Sequence, residues 1–326
     1  MDAQKIARFF DRYMMHLIGA SIVAGVAVGW SAPDFAQRLR ILINLTLFLM
    51  LYPMMVGIRV EEIFKAAKNI KPISWSLLFN FVLSPLVGYL LVLLALRHYP
   101  DFAVALLLLA VTPCAGMVVG WTGFAKGNVA LALVVVALSI TLSIFTIPVT
   151  MSLLAHSLVA INALAMFKGT LLVILIPLVA GDITRRLIIR FGGEKSFAGI
   201  RPVLPPLSML GLFGIIFITT AMGALKIISI WKSIFLIVPV LALFYLVQFT
   251  LAVNILKKAG LGSKDIIAVT YAVGGKNISL ALALAAQFFS PLTVVMLAIN
   301  PLIQMPAMAL FLRWSPRLAK AEKGSP

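Results

Sequence analysis

Cysteine is almost absent, with Cys114 the only one in 326 residues. A single thiol excludes an intrachain disulfide and any cysteine-only metal cluster. Histidine is nearly as scarce. His16, His98 and His156 lie far apart, and no two have the spacing of a metal-ligand pair. Charge is also thin, at 11% of residues, where soluble domains average about 25%. Acidic residues number only 10, against 27 lysines and arginines. No Ser-His-Asp set or phosphate-binding glycine loop is evident, and no internal stretch is long enough for a soluble catalytic domain. These absences argue against an enzyme, and no cofactor is implied. The net charge of +17 is not a nucleic-acid signal, because the positive residues sit between apolar runs without interleaved aromatics.

What the chain does have is hydrophobic length. Apolar residues make up 62% of it and the mean hydropathy is +1.11, which defines a polytopic membrane protein. The N-terminal run is of full span length and lacks a clear small-residue cleavage site, so it reads as a first span rather than a removed signal. A helix crosses the bilayer with about twenty apolar residues. Ten windows meet this requirement: 13–30, 41–58, 73–96, 102–124, 129–154, 164–184, 204–225, 234–256, 266–289 and 292–312. With the N-terminus cytoplasmic, twenty of the 27 basic residues fall on the inner side and six on the outer. That split fits the positive-inside rule with both termini in the cytoplasm of a cell-membrane protein. Residues 59–71 have apolar residues at helical spacing and predict an interfacial helix. Residues 185–206 are expected to form the longest loop. Asp182 precedes Arg185 and Arg186 by three and four positions, which predicts local ion pairs.

Ten spans divide into two sets of five, 1–160 and 161–326. An odd-numbered repeat inserts its second copy upside down, the plan of many transporters. The fourth window carries Thr112-Pro113-Cys114-Ala115-Gly116, and the ninth carries Gly274-Gly275-Lys276-Asn277. Helix breakers thus occupy the fourth member of both sets. Broken backbone at membrane depth is tolerated only inside protein or along a cavity. Lys276 is also the only charged residue between Asp265 and Arg313. A charge at the bilayer centre costs from about 3 to more than 10 kcal/mol, so such residues face a cavity, a partner or a transported ion. The alternative, a lysine snorkelling to the interface, is disfavoured by its mid-span position.

At these residues the chain resembles the bile acid:sodium symporter superfamily, which includes the arsenite efflux permeases. The likeness covers nearly the whole chain. It extends to Met55-Val56-Gly57-Ile58-Arg59-Val60 after the second span and to Lys126-Gly127-Asn128-Val129-Ala130-Leu131 before the fifth. The resemblance implies broken fourth and ninth helices that cross near the membrane centre, with a core bundle moving against a panel bundle. In the sodium-coupled branch the ninth span typically reads Glu-Val-Gly-x-Gln-Asn. Here it reads Ala272-Val273-Gly274-Gly275-Lys276-Asn277, so the sodium-binding Glu is Ala272 and the Gln is Lys276. The fourth-span Ser-Asn pair falls on Gly116 and Met117, and the fifth-span hydroxyls fall on Ala132 and Val136. Asn80 and Asn277 keep polar side chains at matching places. The loss of the other ligands implies transport independent of sodium, with Lys276 standing where a sodium ion would, against carbonyls freed by the break. The arsenite branch typically has Pro-Cys-x-x-Met-Val-x-x-Trp, matched in full by the stretch from Pro113 to Trp121. Its ninth-span Glu is Ser279 here.

The expected site therefore comprises Lys276, Asn277, Ser279, Gly274 and Gly275 with Thr112, Pro113, Cys114, Gly116 and Asn80. Cys114 reads either as a small buried hydrophobe or as a soft ligand. Asn80, Asn277 and Ser279 either line a cavity or make interhelical hydrogen bonds. Gln248 and Asn300 read as structural. The expected function is secondary transport of a small organic anion by alternating access, with Lys276 as surrogate cation or proton-coupling site. Arsenite export through Cys114 is the alternative, and a non-transporting receptor on the same fold is a third reading. The expected partners are the small-molecule substrate, protons and the lipid bilayer, without nucleic acid.

Overall fold

In hydrocarbon every backbone N–H and C=O must be satisfied within the protein, and a long apolar run does this by itself only as a helix. The computed structural model describes residues 3–57, 70–156, 158–159, 161–229, 231 and 235–318. Among these residues all extended regular structure is helical.

In chain order, α1 spans Ala3–Ser31, α2 Pro33–Arg38 and α3 Ile43–Val56. Helix α4 (Ile70–Leu78) passes through a π-helical turn (Phe79–Leu83) into α5 (Ser84–Leu91). Then come α6 (Pro100–Val111), α7 (Met117–Phe124), α8 (Val129–Leu154), α9 (Ala163–Ile200) and α10 (Leu204–Ser229). The last five are α11 (Ile237–Lys258), α12 (Ser263–Gly274), α13 (Ile278–Phe288), α14 (Pro291–Ile299) and α15 (Pro301–Trp314).

Seven helical runs among the described residues are long and apolar enough to cross a membrane. One of them, Ala163–Ser229, is 67 residues long. Straight, it would measure about 100 Å, more than three hydrocarbon cores of about 30 Å. It is not straight: Gly193 has φ 72° and ψ 175° inside it. Windows 102–124 and 266–289 are each divided into two short helices. None of the four pieces exceeds 12 residues, or about 18 Å of rise, so none crosses the core alone.

Residues 185–192, within the stretch expected as loop, instead prolong α9 beyond the apolar window, and a further helical stretch follows the break at Gly193. Polar residues do not end a helix when its exposed face is solvated, and Arg185 and Arg186 hold Asp182 at 3.0 and 2.6 Å along it. The interfacial helix expected over 59–71 lies outside the described residues, except for its last two positions, which belong to α4.

The chain forms two compact units. The first comprises Met1–Ile58, Ala165–Ile234 and Ser279–Ala298. Within it α10 packs along both α1 and α3. Small residues allow the close approach, as usual between membrane helices. A methyl group on Gly29 would run into the main-chain oxygen of Ala221. Tyr52 and Thr184 share a hydrogen bond of 2.8 Å between their hydroxyls, tying α3 to α9.

The second unit comprises Arg59–Leu164, Phe235–Ile278 and Ile299–Pro326. Helix α12 lies at its heart, against α4, α8 and α11. Every residue of α12 from Ile266 to Gly274 is buried, as is every residue of α6 from Phe102 to Val111. Asn128 fixes the entry to α8. Its side-chain oxygen accepts from Leu131 N at 3.0 Å, an N-cap, while its Nδ2 donates to Asp265 Oδ1 at 2.8 Å.

Candidate functional site

Helix α6 stops where its sequence requires. Proline disfavours helical geometry at the residue before it, and Thr112, preceding Pro113, is extended (φ −69°, ψ 146°). Helix α12 stops at its two glycines, with Gly275 at φ −86° and ψ 58°. Any side chain at Gly275 would strike Val118 and the main-chain oxygen of Tyr271. Both breaks lie in the second unit, and they meet. Ala115 N donates to Gly275 O and Asn277 N donates to Pro113 O, each at 2.8 Å. These bonds make a short antiparallel bridge between Cys114 and Lys276. Each break thereby satisfies backbone groups that the other leaves without a helical partner.

A helix end also leaves carbonyl oxygens without partners. At the end of α6, Leu108 O accepts from Thr112 N and Leu109 O accepts from the Thr112 hydroxyl. Two further oxygens receive the Lys276 ammonium: Ala110 O at 3.0 Å and Thr112 O at 3.3 Å. Asn80 Oδ1 is the third acceptor, at 3.1 Å. An ammonium has three donors, and all three of these partners are uncharged oxygens. Lys276 is fully buried. A cation at a helix C-terminus is further favoured by the aligned peptide dipoles.

The acceptors are themselves held. Asn80 sits in the π-helical turn between α4 and α5, where its Nδ2 donates to Ser76 O at 3.0 Å. This bond assigns its Oδ1 to the lysine. Ser84 Oγ donates to Ala110 O at 2.9 Å. On the other side Gln304 Nε2 donates to Lys276 O at 3.1 Å. Gln304 Oε1 accepts from Asn300 Nδ2 at 2.7 Å and from Tyr245 OH at 3.0 Å, and Tyr245 OH also reaches Asn300 Oδ1 at 2.9 Å. All three of these side chains are buried.

Cys114 is fully buried, and its Sγ lies 3.2 Å from Ser139 Oγ on α8. Among the described residues no group of three His, Cys, Asp or Glu side chains is placed to hold a metal. Gly116 and Gly120 are exposed, with nothing within 4 Å of where a Cβ would stand.

The structure thus brings together Lys276, Asn277, Gly274, Gly275, Thr112, Pro113, Cys114 and Asn80. Gly116 follows in the same break and precedes α7. Ser279 is half-buried in the first turn of α13 and is grouped with the first unit. Tyr245, Gln304 and Ser139 were missed in the sequence. They are single polar residues in apolar helices, and the available signal was their polarity in otherwise apolar surroundings. Asn300 was read as structural and is bonded as part of the network around Gln304.

A helical membrane protein with two helices broken and joined around a buried lysine has the architecture of a transporter. The family model for the Sodium Bile acid symporter family matches residues 44–230, and the chain belongs to this family. Individual relatives agree, two of them over nearly their full length. The arsenical-resistance protein Acr3 of Alkaliphilus metalliredigens is 27% identical, with 96% of each chain aligned. An uncharacterized sodium-dependent transporter, YocS, of Bacillus subtilis is 24% identical over 98% of this chain and 97% of its own. The probable sodium/metabolite cotransporter BASS3 of Arabidopsis thaliana, a chloroplast protein, is 26% identical over 72% of this chain and 53% of its own. The family is named for symporters and the last two relatives for transport, and the chain is a multi-pass membrane transporter.

Proposed function

We propose that this protein carries a small organic anion by alternating access, without sodium, and that the Lys276 ammonium replaces the coupling cation. The observation that carries this reading is the oxygen cage of Asn80 Oδ1, Ala110 O and Thr112 O around a fully buried Nζ. Such a cage is what a dehydrated monovalent cation requires, and here a covalently fixed one fills it. The lysine donors are all used, so direct contact between Lys276 and the substrate is not part of this proposal. Helix α7 begins immediately after the first break, and half-helix N-termini favour anionic groups. Charge on the substrate would be met there, reinforced by the field of the caged ammonium.

The wider arrangement belongs to the same proposal. Ten spans form two inverted five-helix repeats, 1–160 and 161–326, in the cell membrane with both termini cytoplasmic. The basic-residue asymmetry supports that orientation. Movement of the site between the two sides could also be linked to proton transfer at Lys276.

The test is flux into proteoliposomes with sodium and proton gradients imposed separately. Flux unchanged on replacing sodium by potassium is expected. Strict sodium dependence would sink the surrogate-cation reading, and a response to the proton gradient lost in Lys276→Met would assign the coupling to protons. Substrate binding without flux would favour a receptor.

Arsenite export is the second reading. It is favoured by Cys114 at the bridge with Lys276 and by full-length likeness to an arsenical-resistance protein. Thiolates suit soft centres such as arsenic(III). Protection of arsenite-sensitive cells, abolished by Cys114→Ser at equal membrane expression, would favour it over the organic anion.

A further inference from the structure

A groove runs along the second unit, and Phe249 in its wall packs against Gly274 of the second helix break. Helices α11 and α15 lie side by side and point the same way. Tyr245 meets Asn300 and Gln304 near one end, and Lys257 lies over the Trp314 ring, 5.5 Å from its centroid, near the other. Between them is a cavity of about 720 Å³. Leu246, Phe249 and Val253 form one wall, and Leu302, Pro306 and Leu310 the other. Leu246 and Leu310 remain 65% and 66% exposed. Exposure alone says little in a membrane protein, because leucine faces hydrocarbon without penalty. The length and the ends of the groove say more.

From Tyr245 to Lys257 the α11 axis rises about 18 Å. One leaflet of the hydrocarbon core is about 15 Å deep, half of the whole. The groove therefore matches one acyl chain in length. Its one charged lining residue, Lys257, stands at one end with Asn254, beside Trp314, while Thr250 and Tyr245 are the polar residues farther along. Lysine and tryptophan together mark the level of lipid headgroups. Lys258 and Arg313 are exposed neighbours in sequence but do not line the groove, so Lys257 is its one cation among the described residues. No carboxylate lines the groove among the described residues. Basic clefts between membrane helices select anionic headgroups.

We infer that this groove is a binding site for one anionic phospholipid, with an acyl chain laid between α11 and α15 and the headgroup phosphate at Lys257. The chain terminus then rests at Tyr245, whose hydroxyl is bonded to Gln304 and, through it, to the backbone of Lys276. A ligand that binds only the folded unit also stabilises it by mass action.

Native mass spectrometry of the purified full chain tests this, using phosphatidylglycerol and phosphatidylcholine with identical acyl chains. Retention of one phosphatidylglycerol, favoured about fivefold over phosphatidylcholine, is expected from a single lysine. Lys257→Gln should remove the preference, while Lys226→Gln, an exposed cation of the first unit, should leave it intact. Ala307→Trp, which fills the groove, should lower retention of both lipids, and Leu246→Trp at the rim serves as a second filler if the first does not fold. Equal retention of both lipids by the wild type would overturn the proposal. So would a preference that survives both Lys257→Gln and a folded filling variant. A dimer lost on filling the groove would assign the surface to a second copy of the chain and equally overturn it.

Discussion

Lys276 Nζ donates to the main-chain oxygen of Ala110 at 3.0 Å, across 166 positions of sequence. The bond joins the side chain of one helix break to the C-terminal end of the helix before the other. Two more oxygens complete the ammonium's coordination, so the charge serves the structure as well as any transport cycle. Removing it has a consequence that shortening a surface lysine does not.

Lys276→Met leaves Ala110 O, Thr112 O and Asn80 Oδ1 without their charged donor. Each buried group stranded in this way costs about 1–3 kcal/mol, though Ser84 still donates to Ala110 O. A lowered thermal unfolding midpoint in detergent is expected. Lys276→Gln vacates the cage while keeping a polar side chain, and sodium should then raise its midpoint more than potassium does. Equal effects of the two salts would count against the cage as a cation site.

Gln304→Leu removes one donor and one acceptor at once. It strands Lys276 O and Asn300 Nδ2, while the Tyr245 hydroxyl keeps Asn300 Oδ1. A loss of about 2–6 kcal/mol is expected from two such groups, whereas Tyr245→Phe should lose only about 1 kcal/mol. Reversible unfolding in a mixed detergent series measures both. Equal losses would mean that the Lys276 backbone bond contributes nothing.

Gly29→Ala places a methyl group against the main-chain oxygen of Ala221, which cannot move aside as a side chain would. A destabilisation of about 1–3 kcal/mol is expected from this overpacking. Gly19 lies on the same helix with nothing within 4 Å of a new Cβ. Gly19→Ala should therefore be neutral or stabilising by up to about 1 kcal/mol. The two midpoints, measured side by side, separate helix propensity from helix contact.

Cys114 is the only thiol, so a maleimide labels a single known position. Complete burial and the contact with Ser139 predict labelling at least an order of magnitude slower in the folded protein than in denaturant. Mass spectrometry of the intact chain gives the two rates. Rapid labelling of the folded protein would show that the transport cycle opens this break to water.

Asn128→Ala removes both the N-cap of α8 and the bond to Asp265. Loss of a cap costs about 0.5–2 kcal/mol. Asn128→Asp keeps a capping oxygen but places it beside the Asp265 carboxylate. It should recover little of the loss, and the comparison of unfolding midpoints checks this.

Both breaks were legible because proline and paired glycines act locally. Pro113 constrains Thr112 whatever surrounds it, and Gly274–Gly275 weakens the helix that contains it. Lys276 and Asn80 stood out because polar side chains are costly in apolar windows. The extension of α9 past residue 184 was not legible, since apolar length reports where a helix suits hydrocarbon and not where its hydrogen bonding ends. Tyr245, Gln304 and Ser139 had no motif to mark them. A tyrosine or glutamine in a membrane helix acquires meaning from the partner it meets, and these partners lie on other helices.

By itself the sequence determined the membrane class, the positions of both breaks and the lysine placed at the second of them, because these follow from hydrophobicity, backbone restriction and the cost of burying an ion. Only the tertiary structure decided what receives that charge. Two of the three acceptors are main-chain oxygens, present at every residue and therefore without a signature in sequence. Which of them becomes free depends on where α6 ends, and which of them Lys276 reaches depends on the bridge between two breaks far apart in the chain.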